Sequence, residues 1–150
     1  MESKKFNIRG SSQFSATFDN FQIYRFTHRW YNFRLTYKEG ESRFYVRSDL
    51  TLWTCDKGEL KSRAFDIAVS VGEDGTAVIS GGVSVKMPLL HDGTWDLETF
   101  CKIPQFTRVL DKELGASLRA AEDYIPVMES NLLHLKHYVY EMKDNLGERE

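Results

Sequence analysis

The chain reads as an α+β protein: an N-terminal antiparallel β-sheet or partly closed barrel of about six to eight strands, followed by two C-terminal helices. Two observations predict this. Residues 12–100 alternate apolar and polar side chains in short runs, with turn signals about every 8 to 12 residues. Beyond Pro104 the apolar period lengthens to that of amphipathic helices. Composition agrees: 150 residues with 41% hydrophobic and 28% charged side chains is ordinary globular usage, which excludes disordered and fibrous classes. The expected organisation is one domain over 1–150, with a β-region at 12–100 and a helical region at 108–146.

The first run sets Phe14, Ala16 and Phe18 on one face, and Asp19-Asn20 turns the chain. A long aromatic run from Phe21 to Lys38 follows, with a bulge or bend expected near His28. After Glu39-Gly40-Glu41, the run from Ser42 to Cys55 carries Phe44, Val46, Leu50 and Leu52 together, and Asp56-Lys57-Gly58 closes it. The clearest strand spans 62–72, where Phe65, Ile67, Val69 and Val71 alternate with small or polar residues. Asp74-Gly75 then predicts a hairpin with a type I′ turn. Gly81-Gly82 interrupts the next run and suggests a bulge within it. A last short strand is expected from Thr94 to Phe100, bearing Trp95 and Leu97.

Leu110, Leu114, Leu118 and Ala121 predict a helix over 108–122, and a second is expected over 125–146 with Pro126 in its first turn. The second carries the most regular pattern in the chain. Ile125, Met128, Leu132, Leu135, Val139, Met142 and Leu146 alternate spacings of three and four, an unbroken a/d heptad seam. Glu129, Lys136 and Lys143 fall at e positions. Val127, Leu133 and Tyr140 widen the apolar stripe, as a helix with two neighbours requires. The seam predicts an oligomer interface, and hence a homo-oligomer.

Charge is unevenly spread within a net of −2. Residues 1–50 hold nine Lys/Arg against five Asp/Glu, whereas residues 51–100 hold four against eight. In the basic third, Tyr24, Arg25, Arg29, Trp30, Arg34, Lys38, Arg43 and Arg47 interleave cations with rings and form the expected partner-binding surface. Tyr, Trp and Arg are the residues that dominate protein interfaces, so a protein partner is expected ahead of nucleic acid. Single-stranded nucleic acid is the alternative, since rings stack on bases while cations neutralise phosphates. A second alternative is a carrier holding a small apolar ligand inside the β-region.

No catalytic residue, metal ligand or cofactor is expected. Asp96 and Glu98 would share a strand face, but nothing in the sequence separates their acidities into acid and base. His134, His137 and Glu141 have helical spacing suited to a metal, and ordinary exposed helix positions explain them as well. His28 has no triad context, and Gly81-Gly82 lacks the pattern of a phosphate loop. Residues Met1 to Arg9 lack the apolar run of a secretory signal, and no stretch reaches the length of a membrane span. Cys55 and Cys101 without CxxC spacing, and the absence of Asn-x-Ser/Thr, fit a reducing cytoplasm. The expected function is therefore a non-catalytic macromolecule-binding, inhibitor or adaptor protein, cytoplasmic, without a membrane partner, self-associating through its last helix.

Overall fold

In a computed structural model, which describes residues 14–16, 21–38 and 40–147, seven strands form one antiparallel sheet in chain order, each pairing with the next. They are β1 (Phe14–Ala16), β2 (Phe21–His28), β3 (Tyr31–Lys38), β4 (Arg43–Asp56), β5 (Glu59–Val71), β6 (Thr76–Ile79) and β7 (Val83–Lys86). Among the described residues the sheet is not closed, with β1 and β7 as its two edges. Two helices follow, a single short turn α1 (Leu97–Phe100) and α2 (Pro104–Asn145), which is 42 residues long. The face expected for Phe14, Ala16 and Phe18, and the turn at Asp19-Asn20, lie outside the described side chains.

The inner face of the sheet is the one the alternation marks. Leu35, Val46 and Ile67 stand opposite one another across β3, β4 and β5, and all are buried. Onto this face pack the segment after β7, α1 and the first turns of α2, which bring Met87, Trp95, Leu97, Phe100, Phe106 and Leu110 into the core. Trp95 meets Tyr37 and Phe44 edge-on at 5.4 and 6.0 Å between ring centroids, and Phe100 joins Phe44 to Phe106. Edge-to-face aromatic contacts of this kind add to the burial of large apolar area.

Several local expectations change. The strand expected over 94–100 is a bridge at Leu89–Trp95 followed by α1, because Asp96 caps that helix by accepting from the Thr99 backbone N–H at 3.1 Å. Gly81-Gly82 does not bulge within a strand. Both glycines take positive φ, +98° and +94°, and form the turn that separates β6 from β7. At Asp74-Gly75 the hairpin is present but only Gly75 has positive φ, so the turn is not type I′. The helices expected over 108–122 and 125–146 are one continuous α2 with Pro126 inside it. Proline's fixed φ is itself helical, so the helix runs on through Pro126, at the cost of the backbone hydrogen bond its nitrogen cannot donate and of its ring crowding the carbonyl of Glu122.

Near His28 there is a tight turn in place of a bulge. His28 pairs with Tyr31, leaving the two-residue loop Arg29-Trp30, both at positive φ (54° and 72°). Such turns ordinarily carry Asn-Gly, and a side chain there is strained by about 1 kcal/mol or more. Trp30 is 99% exposed, so no packing offsets this. A Trp30→Gly protein is expected to be more stable by about 1 kcal/mol in chemical denaturation; equal or lower stability would show that the turn is unstrained.

Candidate interaction surfaces

The strand register places three arginines in one row on the outer face of the sheet. Arg25 stands opposite Arg34, Arg34 opposite Arg47, and Arg47 opposite Asp66. Like charges directly opposed across strands are destabilising, so the row persists only with compensation. Asp49 accepts from Arg34 at 3.0 Å and Asp66 from Arg47 at 3.2 Å, while the Arg47 guanidinium lies 4.6 Å over the Tyr45 ring. These carboxylates are half or more exposed, which keeps each pair weak and exchangeable. A pocket of about 230 Å³ opens beside the row between Arg25, Arg34 and Asp49, with Phe26 and Phe33 in its wall.

Two rows further along the same face stand Lys38, whose ammonium lies 5.9 Å over the Phe21 ring, and Arg43, which donates to Ser70 Oγ at 3.2 Å. The outer face thus gathers Arg25, Arg34, Lys38, Arg43 and Arg47 from the expected partner-binding set. It does not gather the others. Tyr24 is 4% exposed and belongs to the core, because it sits on the inward parity of β2. Arg29 and Trp30 lie at the hairpin tip, where Arg29 turns toward α2.

There Asp111 joins the helix to the hairpin. It accepts from Arg29 Nε at 3.1 Å and Arg29 Nη2 at 3.3 Å, and is hydrogen-bonded to His28 Nε2 at 2.7 Å. The Arg29 guanidinium, then His28, hold the Asp111 carboxyl below its ordinary value of 3.8. A carboxylate whose folded-state value is depressed contributes stability that is complete above its unfolded value and is lost as pH falls through the folded one. Asp111→Asn is accordingly expected to lower the melting temperature by a few degrees near neutrality, with the difference vanishing in acid below the carboxylate range. A deficit independent of pH would refute the ionic origin. Two further bonds hold the start of α2 to the long β4–β5 ribbon: Arg63 to Glu113 at 2.6 Å, and the Trp53 backbone N–H to Ser117 Oγ at 2.8 Å.

After Ser117 the helix leaves the sheet, and no residue from Ile125 to Gly147 is covered. All seven residues of the expected oligomer interface are therefore exposed: Ile125, Met128, Leu132, Leu135, Val139, Met142 and Leu146. Because α2 is continuous, Leu114, Leu118 and Ala121 extend the same three-and-four spacing toward the sheet, which the expected break near 123 concealed. At that end an open groove of about 530 Å³ lies between α2 and the sheet, walled by Leu50, Leu52, Trp53, Leu114 and Leu118.

The residues weighed for chemistry are placed otherwise. Asp96 caps α1, accepting also from Thr99 Oγ1 at 2.7 Å, so it and Glu98 are not a strand-face pair. His134, His137 and Glu141 lie on the exposed part of α2, and no cluster able to hold a metal occurs among the described residues. Cys55 is exposed, Cys101 is buried and both thiols are free. Burial, with the Glu98 carboxylate adding, pushes the Cys101 thiol well up, the opposite of what a nucleophile requires. No described helix is long and apolar enough to cross a membrane. No protein-family model, curated protein or solved structure matches the chain.

Proposed function

We propose that this protein is a non-catalytic adaptor of the reducing cytoplasm that self-associates through α2 and receives an acidic protein segment on the outer face of its sheet. The observation that carries the proposal is the apolar seam left uncovered beyond the sheet. In proteins most helical stability comes from packing an apolar face, and beyond residue 125 that face of α2 is exposed. Exposed contiguous apolar surface of this kind marks an interaction site.

The arginine row supplies the second half. Its three guanidiniums stand side by side across neighbouring strands, and the exposed Asp49 and Asp66 that pair with two of them can be displaced by carboxylates from outside. Arg binds carboxylates in a planar, bidentate manner, which suits Asp- or Glu-rich protein sequence. Single-stranded nucleic acid is less well served. Tyr45 already lies beneath Arg47 and Tyr24 is buried, which leaves few rings beside the cations for base stacking.

Titration with a Glu-rich peptide, alongside a mixed single-stranded oligonucleotide, tests this surface. Arg34→Ala with Arg47→Ala is expected to weaken peptide binding at least tenfold while leaving the fold intact, since both side chains face solvent and their removal relieves the opposed charges. Peptide binding indifferent to these changes, or oligonucleotide binding with steep salt dependence and no peptide binding, would overturn the acidic-protein reading.

A further inference from the structure

We infer that α2 pairs with α2 of a second copy in antiparallel orientation, centred near Ser130, with the C-terminal end of each helix seated in the groove at the base of the other. The inference rests on the self-association proposed above and specifies its geometry. The full seam comprises Leu114, Leu118, Ala121, Ile125 and Met128, then Leu132, Leu135, Val139, Met142 and Leu146. It is symmetric about residue 130: reversed on itself, the seam places Leu114 against Leu146, Leu118 against Met142, Ala121 against Val139, Ile125 against Leu135 and Met128 against Leu132. Every layer is filled by apolar side chains from both copies. The a and d positions meet across each layer, as antiparallel helices require.

The flanking charges choose this orientation over the parallel one. Successive e positions are Gly115, Glu122, Glu129, Lys136 and Lys143, acidic toward the sheet and basic toward the C-terminus. The g positions, Ser117, Tyr124, Asn131, Tyr138 and Asn145, carry no charge. Parallel helices set e against g, so a parallel pair would form no ion pair along either flank. Antiparallel helices set e against e, which in this register places Glu122 of one copy between Lys136 and Lys143 of the other, and Glu129 between the other's Lys136 and Glu129, so that ion pairs outnumber the one like-charge contact at the centre. Pro126 falls at a b position, outside the contact.

The register also accounts for the groove. Its helical wall is the sheet-proximal end of the seam, Leu114 and Leu118, and the opposing wall is Leu50, Leu52 and Trp53. In the antiparallel pair the facing residues of the second copy are Leu146 and Met142, apolar side chains of a size that an open groove of about 530 Å³ accommodates. The occupant is thus the end of the second copy's helix, and the two grooves of the pair are filled by one symmetric operation.

Distances between nitroxide labels in the full chain test the arrangement. Cys55 is replaced by serine, buried Cys101 is kept, and a single cysteine is introduced as Glu141→Cys or Ser130→Cys. At 1.5 Å per residue the antiparallel pair predicts an axial separation of about 33 Å for the label at 141 and none for the label at 130, which lies at an f position on the outer side of each helix and so reads only the width of the pair, about 20–25 Å. Short distances at both positions would establish parallel pairing and overturn the inference. A long distance at 130 would establish another register and overturn it as well. Light scattering on the same samples separates the two levels of argument. A two-chain mass with the wrong distances refutes only this geometry, a mass above two chains refutes the two-chain pairing, and a one-chain mass refutes self-association itself.

Discussion

A Leu135→Asp protein is expected to scatter light as a single chain of 17.4 kDa under conditions where the parent forms a multiple of that mass. Leu135 is 58% exposed and touches nothing in the core, so its replacement leaves the sheet alone. In the middle of the seam, however, an aspartate would be a buried, unpaired carboxylate in every assembly that uses this face, and such a charge is severely destabilising. The fold should survive the change, with monomer stability within about 0.5 kcal/mol of the parent, as for other solvent-facing substitutions. Melting supplies a second readout. An associating protein has a melting temperature that rises with concentration, and that dependence should disappear in the variant. A variant with the parental mass and concentration dependence would mean that the seam plays no part in assembly.

Trp95→Ala is expected to do the reverse. Trp95 is 0% exposed and is wedged against Tyr37 and Phe44, so truncation removes a large apolar surface and leaves a cavity that the neighbouring rings cannot close. Losses of about 3–5 kcal/mol are typical for an aromatic of this kind, against a total stability of about 5–15 kcal/mol for a domain. Urea unfolding should show the midpoint falling accordingly. A loss below about 1 kcal/mol would mean that the segment between β7 and α1 is not a structural part of the core. The two variants separate the chain's apolar residues into those that make the fold and those left exposed by it.

How far the sequence discloses this division differs from element to element. Alternation exposes β5 directly, because Phe65, Ile67, Val69 and Val71 all face a covered surface while their neighbours face water. The seam on α2 is equally plain, since its spacing is uninterrupted. The Arg29-Trp30 turn is not readable, because neither residue belongs to the Asn, Asp or Gly set whose conformational freedom signals such turns. Parity along β3 and β4 tells that Arg34 and Arg47 share a face. It does not tell that they stand opposite each other, which depends on pairing between strands. Trp95 and Leu97 look like strand residues because only two apolar positions fit either period. The capping carboxylate of Asp96 decides for the helix. Pro126 misleads in the other direction: taken as a helix start, it hides that Leu118 and Ile125 belong to one row, and with it the link between the seam and the groove at its base.

The continuity of α2 also makes the helix a spacer of adjustable length. The contacts that hold the helix to the sheet, at Asp111, Glu113 and Ser117, all precede the segment that bears most of the seam. Adding or removing seven residues in that segment keeps the apolar row in phase and changes the reach of the helix by about 10.5 Å. Adding or removing five would rotate the row to the wrong side of the rod. In the proposed pair, length variation in whole heptads would therefore alter how far apart the two sheets are kept, while leaving each sheet and its arginine row untouched.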